Sequence, residues 1–164
     1  MRNSKAESKH RNVRAMGVLL LATPIALSSM AFSETKVNRS QLPPAVEKTV
    51  QEQSQGATIK GFATETENGV FQYEAEMMVN GHSKDIAIAK DGTLLEVEEE
   101  VAMNALPDSI QKALTAKAGS AKITKVETLT KKGKLVAYEA ATLKGTKKGE
   151  LQVSPTGGKL AHEE

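Results

Sequence analysis

Glu74 and Glu139 occupy the same place in two similar stretches, GVFQYEAEMMVNG from Gly69 to Gly81 and GKLVAYEAATLKG from Gly133 to Gly145. Two carboxylates are the smallest set that general acid–base chemistry requires. They are therefore the first candidates for catalysis, but the remaining parts are missing. Gly-x-Ser-x-Gly, His-Glu-x-x-His and a Gly-rich phosphate loop are all absent from the sequence. There is no cysteine to serve as a nucleophile. Alternation in both strands puts Glu74 and Glu139 on the solvent side, opposite Tyr73 and Tyr138. No residue is assigned a catalytic role, and the chain is not read as an enzyme.

Metal chemistry is equally short of ligands. Zinc sites take three or four His, Cys or carboxylate ligands. The chain has three histidines. His10 belongs to the N-terminal leader, His82 follows the Asn80-Gly81 turn signal, and His162 lies in the last four residues. The acidic run Glu96-Val97-Glu98-Glu99-Glu100 resembles a cation site in composition only. It lacks the turn spacing and central glycine of a calcium loop, and it reads as a solvated end of a strand. No metal or cofactor is expected.

The elements that carry these residues come in two copies. At an offset of 64, Leu42-Pro43 meets Leu106-Pro107, Val46 meets Ile110, Ile59 meets Ile123 and Gly69 meets Gly133. Tyr73-Glu74-Ala75 meets Tyr138-Glu139-Ala140 at an offset of 65. The unit boundaries are 42–100 and 106–161, joined by a linker over 101–105. Each Leu-Pro predicts a helix start, over 43–54 and 107–118, with proline in the first turn and leucine as a hydrophobic staple. Gly56 and Gly119 mark the stops. The period then becomes two: Phe71, Tyr73, Ala75, Met77 and Val79 form one face of a half-buried antiparallel strand. Val136, Tyr138, Ala140 and Thr142 match them. Asn68-Gly69, Asn80-Gly81 and Asp91-Gly92 signal hairpin turns, as do Lys132-Gly133, Lys144-Gly145 and Thr156-Gly157-Gly158. The predicted fold class is α+β: a short helix on a four-stranded antiparallel sheet, written twice.

Residues 1–33 read as a secretory signal peptide. A basic start with Arg2, Lys5, Lys9, Arg11 and Arg14 precedes a short apolar run and the small-residue exit Ala31-Phe32-Ser33. The retained-anchor alternative is disfavoured by Pro24. A linker over 34–41 follows. Past the leader there is no apolar run long enough to span a bilayer, so the mature chain is expected to be periplasmic or secreted, with no stable membrane insertion. Nucleic acid is excluded as a partner, since aromatics are 3% of the chain and stacking platforms need them. The mature part carries 17 Lys and Arg against 19 Asp and Glu. These are unevenly shared: 42–100 has 4 Lys and 12 acids, while 106–161 has 11 Lys and 4 acids. The opposite charges serve either docking of the units or an outward surface for a charged partner or self-association. The outward reading selects Lys131, Lys132, Lys147 and Lys148 at the basic hairpins, and Glu98, Glu99 and Glu100, as partner-binding residues.

The order Leu42-Pro43, Gly69, Tyr73-Glu74, Gly81, Asp91-Gly92-Thr93-Leu94 resembles the PepSY-like family, the β-lactamase-inhibitor-like exported proteins with tandem PepSY units. Leu106-Pro107, Gly133, Tyr138-Glu139 and Gly145 repeat it, and Ser154-Pro155-Thr156-Gly157-Gly158 departs from the Asp-Gly turn. The resemblance implies a fold close to the β-lactamase inhibitor protein and to peptidase propeptide domains. It also implies a non-catalytic module that binds or inhibits a secreted enzyme, a peptidase for example, through a sheet face or hairpin. A cell-envelope sensor that binds cations or another ligand is the alternative.

Overall fold

A computed structural model describes residues 34–67 and 69–160. Residues 1–33, where a signal peptide is expected, Asn68 and His162 lie outside the described residues.

Pro44 opens the first helix, α1 (Pro44–Gln53), where its missing N–H leaves no bond unmade. Val46, Thr49 and Val50 point inward, and Leu42 packs on the same cluster, the contact expected of a staple. The second helix, α2 (Asp108–Ala118), follows Pro107, buries Ile110 and Leu114 and stops at Gly119, where φ is +58°. The expected spans are met to within one residue at each end.

Eight strands follow the period-two stretches: β1 (Thr35–Lys36), β2 (Thr58–Glu67), β3 (Val70–Val79), β4 (His82–Ala89), β5 (Leu94–Glu100), β6 (Lys122–Lys131), β7 (Lys134–Lys144) and β8 (Lys147–Val153). They form one antiparallel sheet in chain order. Asn80 and Lys132 both have φ of +51° in the tight turns between β3 and β4 and between β6 and β7.

The sheet differs from two separate four-stranded sheets. β5 pairs with β6, from Glu96 opposite Lys131 to Glu100 opposite Glu127, so both halves share one sheet. α1 is followed by four strands, but α2 by three among the described residues, because Ser154–Gly158 forms a turn and no strand follows to Leu160. The segments read as linkers are also structured. β1 adds a short edge to β2. In 101–105, the Val101 N–H donates to the Val126 carbonyl at 2.9 Å, and Val101 and Met103 pack under α2.

Both helices lie on one face of the sheet. Under α1, Val46 and Val50 meet Ala75, Met77, Ile86 and Ile88. Under α2, Leu106, Ile110 and Leu114 meet Val126, Ala140, Leu151 and Val153. Burying each large side chain contributes roughly 1.5–3 kcal/mol. Phe71 departs from its expected buried face: it is 49% exposed, near the hairpin end of β3, and stacks edge-on against Tyr73 at 5.4 Å.

Candidate functional site

The other face of the sheet carries no helix, and the acids gather there. Side chains alternate along each strand, so the pairing registers place them in rows. One row runs Glu76, Asp85, Glu98, Leu129. Another runs Glu74, Ala87, Glu96, Lys131. A third runs Glu100, Glu127, Glu139, Gln152. Like charges directly opposite each other destabilise a sheet, and this face holds several such pairs. Part of these rows, Glu74, Asp85, Glu96, Glu98 and Glu139, lines a concavity of about 390 Å³, with Glu65, Glu67 and Gln72 on one side and Glu150 and Gln152 on the other. Ala63, Leu129 and Ala137 are buried on this face although neither helix covers them.

Carboxylates of Asp85, Glu98 and Glu127 come within 4.8 Å of one another. Glu127 is 4% exposed and well held: Lys125 Nζ lies 2.7 Å away and Ser83 Oγ donates at 3.2 Å. Glu98 is raised to about 9, first by burial and then by Glu139, Glu127, Glu96 and Asp85. Asp85 is raised to about 6 by burial and by Glu127, with Lys125 opposing. Burial, then Glu65 and Asp85, push Glu74 to about 7. Burial also raises Glu139, against the Gln152 amide that donates to it at 2.7 Å. Glu96 is raised by burial despite Lys131 Nζ at 3.2 Å. Burial and mutual repulsion thus favour the protonated form on this face, most strongly at Glu98. As for a metal, among the described residues Asp85, Glu98 and Glu127 are the grouping whose spacing admits one. They offer few of the six to eight oxygens calcium takes, and Lys125 already places a positive charge there.

The sequence-predicted residues are distributed as follows. Glu74 and Glu139 do share the helix-free face, but they are half-buried rather than solvated. Four strand spacings, about 19 Å along the sheet, separate them, so they do not form an acid–base pair. The run Glu96–Glu100 is not a free end: it is the inner strand β5. Glu98 and Glu100 face the concavity rows, whereas Glu99 points to the helix side, 3.3 Å from Lys84. The Ser83 N–H at 2.9 Å lowers the Glu100 pKa. His82 begins β4, exposed, with Nδ1 3.6 Å from Glu100. Lys131 and Lys132 lie at one end of β7, and Lys147 and Lys148 at the other, so the basic residues form no single patch. Asp85 and Glu127 were missed. Their signal was alternation: Asp85 precedes the inward Ile86, and Glu127 follows the inward Val126.

No protein-family model and no curated protein matches this chain. Solved structures do. A BLIP-like protein from Bacteroides fragilis NCTC 9343 is similar at 25% identity, with a TM-score of 0.54 over 74% of this chain and 86% of that one. A protein from Bacteroides eggerthii DSM 20697, provisionally described as periplasmic, aligns with a TM-score of 0.59 at 15% identity, over 73% and 86%. A DUF2874 family protein from Bacteroides ovatus ATCC 8483 gives 0.56 at 17% identity, over 73% and 84%. The fold, one antiparallel eight-stranded sheet with two helices, is thus that of BLIP-like and DUF2874 proteins.

Proposed function

We propose that the protein is an exported, periplasmic, non-catalytic module that recognises another exported protein through the helix-free face of its sheet. One observation carries this reading: carboxylates of β2, β3, β4, β5, β7 and β8 converge on one concavity of the helix-free face. Such a surface attracts a basic segment of a partner and speeds its encounter. The leader over 1–33 and the BLIP-like fold support export and binding. Among the described residues, no helix is long and apolar enough to cross a membrane. The partner is read as a secreted enzyme such as a peptidase, which binding would inhibit. The tandem PepSY-type organisation, 42–100 and 106–161, is part of the same reading and rests on the repeated Leu-Pro and Tyr-Glu-Ala motifs.

The test uses the full chain, expressed with its own leader, as bait for the exported proteins of its source. A peptidase or other hydrolase is expected to be retained and to lose activity when bound. Glu65→Lys with Glu74→Lys is expected to release it, since both reverse charge on the concave face. Retention that is indifferent to this double variant refutes recognition by the acidic face. A second reading, a cation-responsive envelope sensor, is favoured by the close approach of Asp85, Glu98 and Glu127. It expects millimolar calcium to raise the melting temperature, and an unchanged melting temperature counts against it.

A further inference from the structure

The sheet has two edges. One is blunted: β1 lies against β2, and the Val37 N–H donates to the Phe62 carbonyl at 3.0 Å. The other is β8, whose outer side pairs with no strand among the described residues. The chain supplies its own comparison for this edge. Tyr73 pairs with Ile88 and Tyr138 with Val153, so β4 and β8 are equivalent. The turns that follow them share their hydrogen bonds. The Ala89 N–H donates to the Thr93 carbonyl at 2.9 Å, and the Ser154 N–H to the Gly158 carbonyl at 2.9 Å. The Gly92 N–H donates to the Ala89 carbonyl at 2.9 Å, and the Gly157 N–H to the Ser154 carbonyl at 2.8 Å. Beside β4, the seat is filled by β5, Leu-Leu-Glu-Val-Glu-Glu-Glu, with Leu94 and Val97 turned toward α1.

The seat beside β8 has a defined electrostatic character. Lys147 and Lys148 lie on the strand, Lys144 lies across the turn, and Lys117 reaches from α2 to the Gln152 carbonyl at 2.9 Å. That carbonyl therefore points outward, and so do the backbone groups of Glu150 and Lys148, at two-residue spacing. Lysines on an open edge deter pairing between copies. The same charges discriminate among guest strands by sign.

We propose that the outer edge of β8 is a second interaction surface, formed by outward main-chain groups rather than by the carboxylates of the concave face, that accepts an extended acidic strand of an exported partner by antiparallel β-addition. Main-chain hydrogen bonds to Lys148 and Glu150 supply the attachment, and Lys144, Lys147 and Lys148 supply selectivity. The guest takes the place beside β8 that β5 takes beside β4.

The probe is a fluorescent peptide of the β5 sequence, Leu-Leu-Glu-Val-Glu-Glu-Glu, titrated with the full chain expressed with its own leader. Saturable binding is expected, weakening at least about tenfold from about 0.05 M to about 0.5 M salt as the charges are screened. Glu150→Pro removes one outward N–H and leaves the β7 ladder intact, so an affinity loss of about tenfold or more is expected with an unchanged urea midpoint. Lys148→Glu is expected to weaken binding without touching the backbone, and keeps the test decisive if the proline variant misfolds. Absence of saturable binding, or equal binding by Lys148→Glu, overturns the proposal. Binding that appears only when residues 161–164 are removed assigns the edge to this chain's own tail and overturns it. Dimerisation abolished by Glu150→Pro gives the edge to a second copy, with the same consequence.

Discussion

Between about pH 5 and pH 8 the protein is expected to lose stability, with Glu98 carrying the largest share. Burial and four neighbouring acids raise Glu98 from 4.5 to about 9. Glu74 rises to about 7 and Asp85 to about 6. All three pKa values are higher folded than unfolded, so the folded state binds more protons across this window. Stability is then fully present in acid and falls as pH rises toward the folded values. For Glu98, moving from about pH 5 to pH 8 crosses about 3 units at about 1.4 kcal/mol each, a ceiling of roughly 4 kcal/mol. Water reaches part of the side chain, which brings the expected loss to about 2 kcal/mol. Glu74 and Asp85 are exposed enough that screening holds their joint share to about 1 kcal/mol. Glu47, Asp91 and Glu100 have lowered pKa values and titrate below the window. Urea midpoints at constant ionic strength, for the native chain and Glu98→Gln, measure the effect. The native chain is expected to lose about 2–3 kcal/mol from pH 5 to pH 8, and Glu98→Gln only about 1 kcal/mol. The variant should exceed the native chain at pH 8. A flat native profile, or equal slopes in the two proteins, refutes the idea that this face stores protons.

Two further predictions concern the scaffold. A Cβ at Gly92 would sit 2.7 Å from the Ala45 carbonyl oxygen at a φ of +89°, whereas one at Gly157 would sit 3.2 Å from the Ser109 oxygen. Gly92→Ala is therefore expected to cost about 3 kcal/mol and Gly157→Ala about 1–2 kcal/mol, read from urea midpoints, and the reverse order would contradict the contact geometry. Ile110 is fully buried under α2. Ile110→Ala is expected to cost about 2–5 kcal/mol by the same measurement, and a change below about 1 kcal/mol would remove this helix from the core.

Much of this scaffold was legible in the residues because its signals are local. Proline after leucine places a helix start, and the alternation from Phe71 to Val79 gives both strand and face. How far a helix reaches over that face is not local, so alternation puts Phe71 inside while it lies at the rim. Glu96–Glu100 departs from expectation for a different reason: its acidity masks its alternation. Leu94 and Val97 turn toward α1 while Glu96 and Glu98 take the other side, which an inner strand permits when one sheet face lacks a helix. The β5–β6 pairing was also beyond reach, since comparing repeats aligns the units with each other and reveals nothing about their edges.

That pairing clarifies the opposite charges of the two halves. At the seam, Lys131 Nζ meets Glu96 at 3.2 Å, so part of the charge is neutralised where 42–100 joins 106–161. The seam does not balance the rest. Glu100, Glu127 and Glu139 stand in one row, and Asp85 and Glu98 crowd beside them with Lys125 as the nearby cation on Glu127. Folding alone would favour amides or threonines at these positions, where like charges face one another and burial opposes ionisation. A local conflict of this kind, held within an otherwise consistent scaffold, is what the proposed recognition surface would require. A basic partner segment would relieve it, and binding would then release the protons that Glu98 and Glu74 hold at neutral pH. Affinity at the concave face should accordingly rise with pH across the window in which the free protein loses stability, and Glu98→Gln should weaken both trends together.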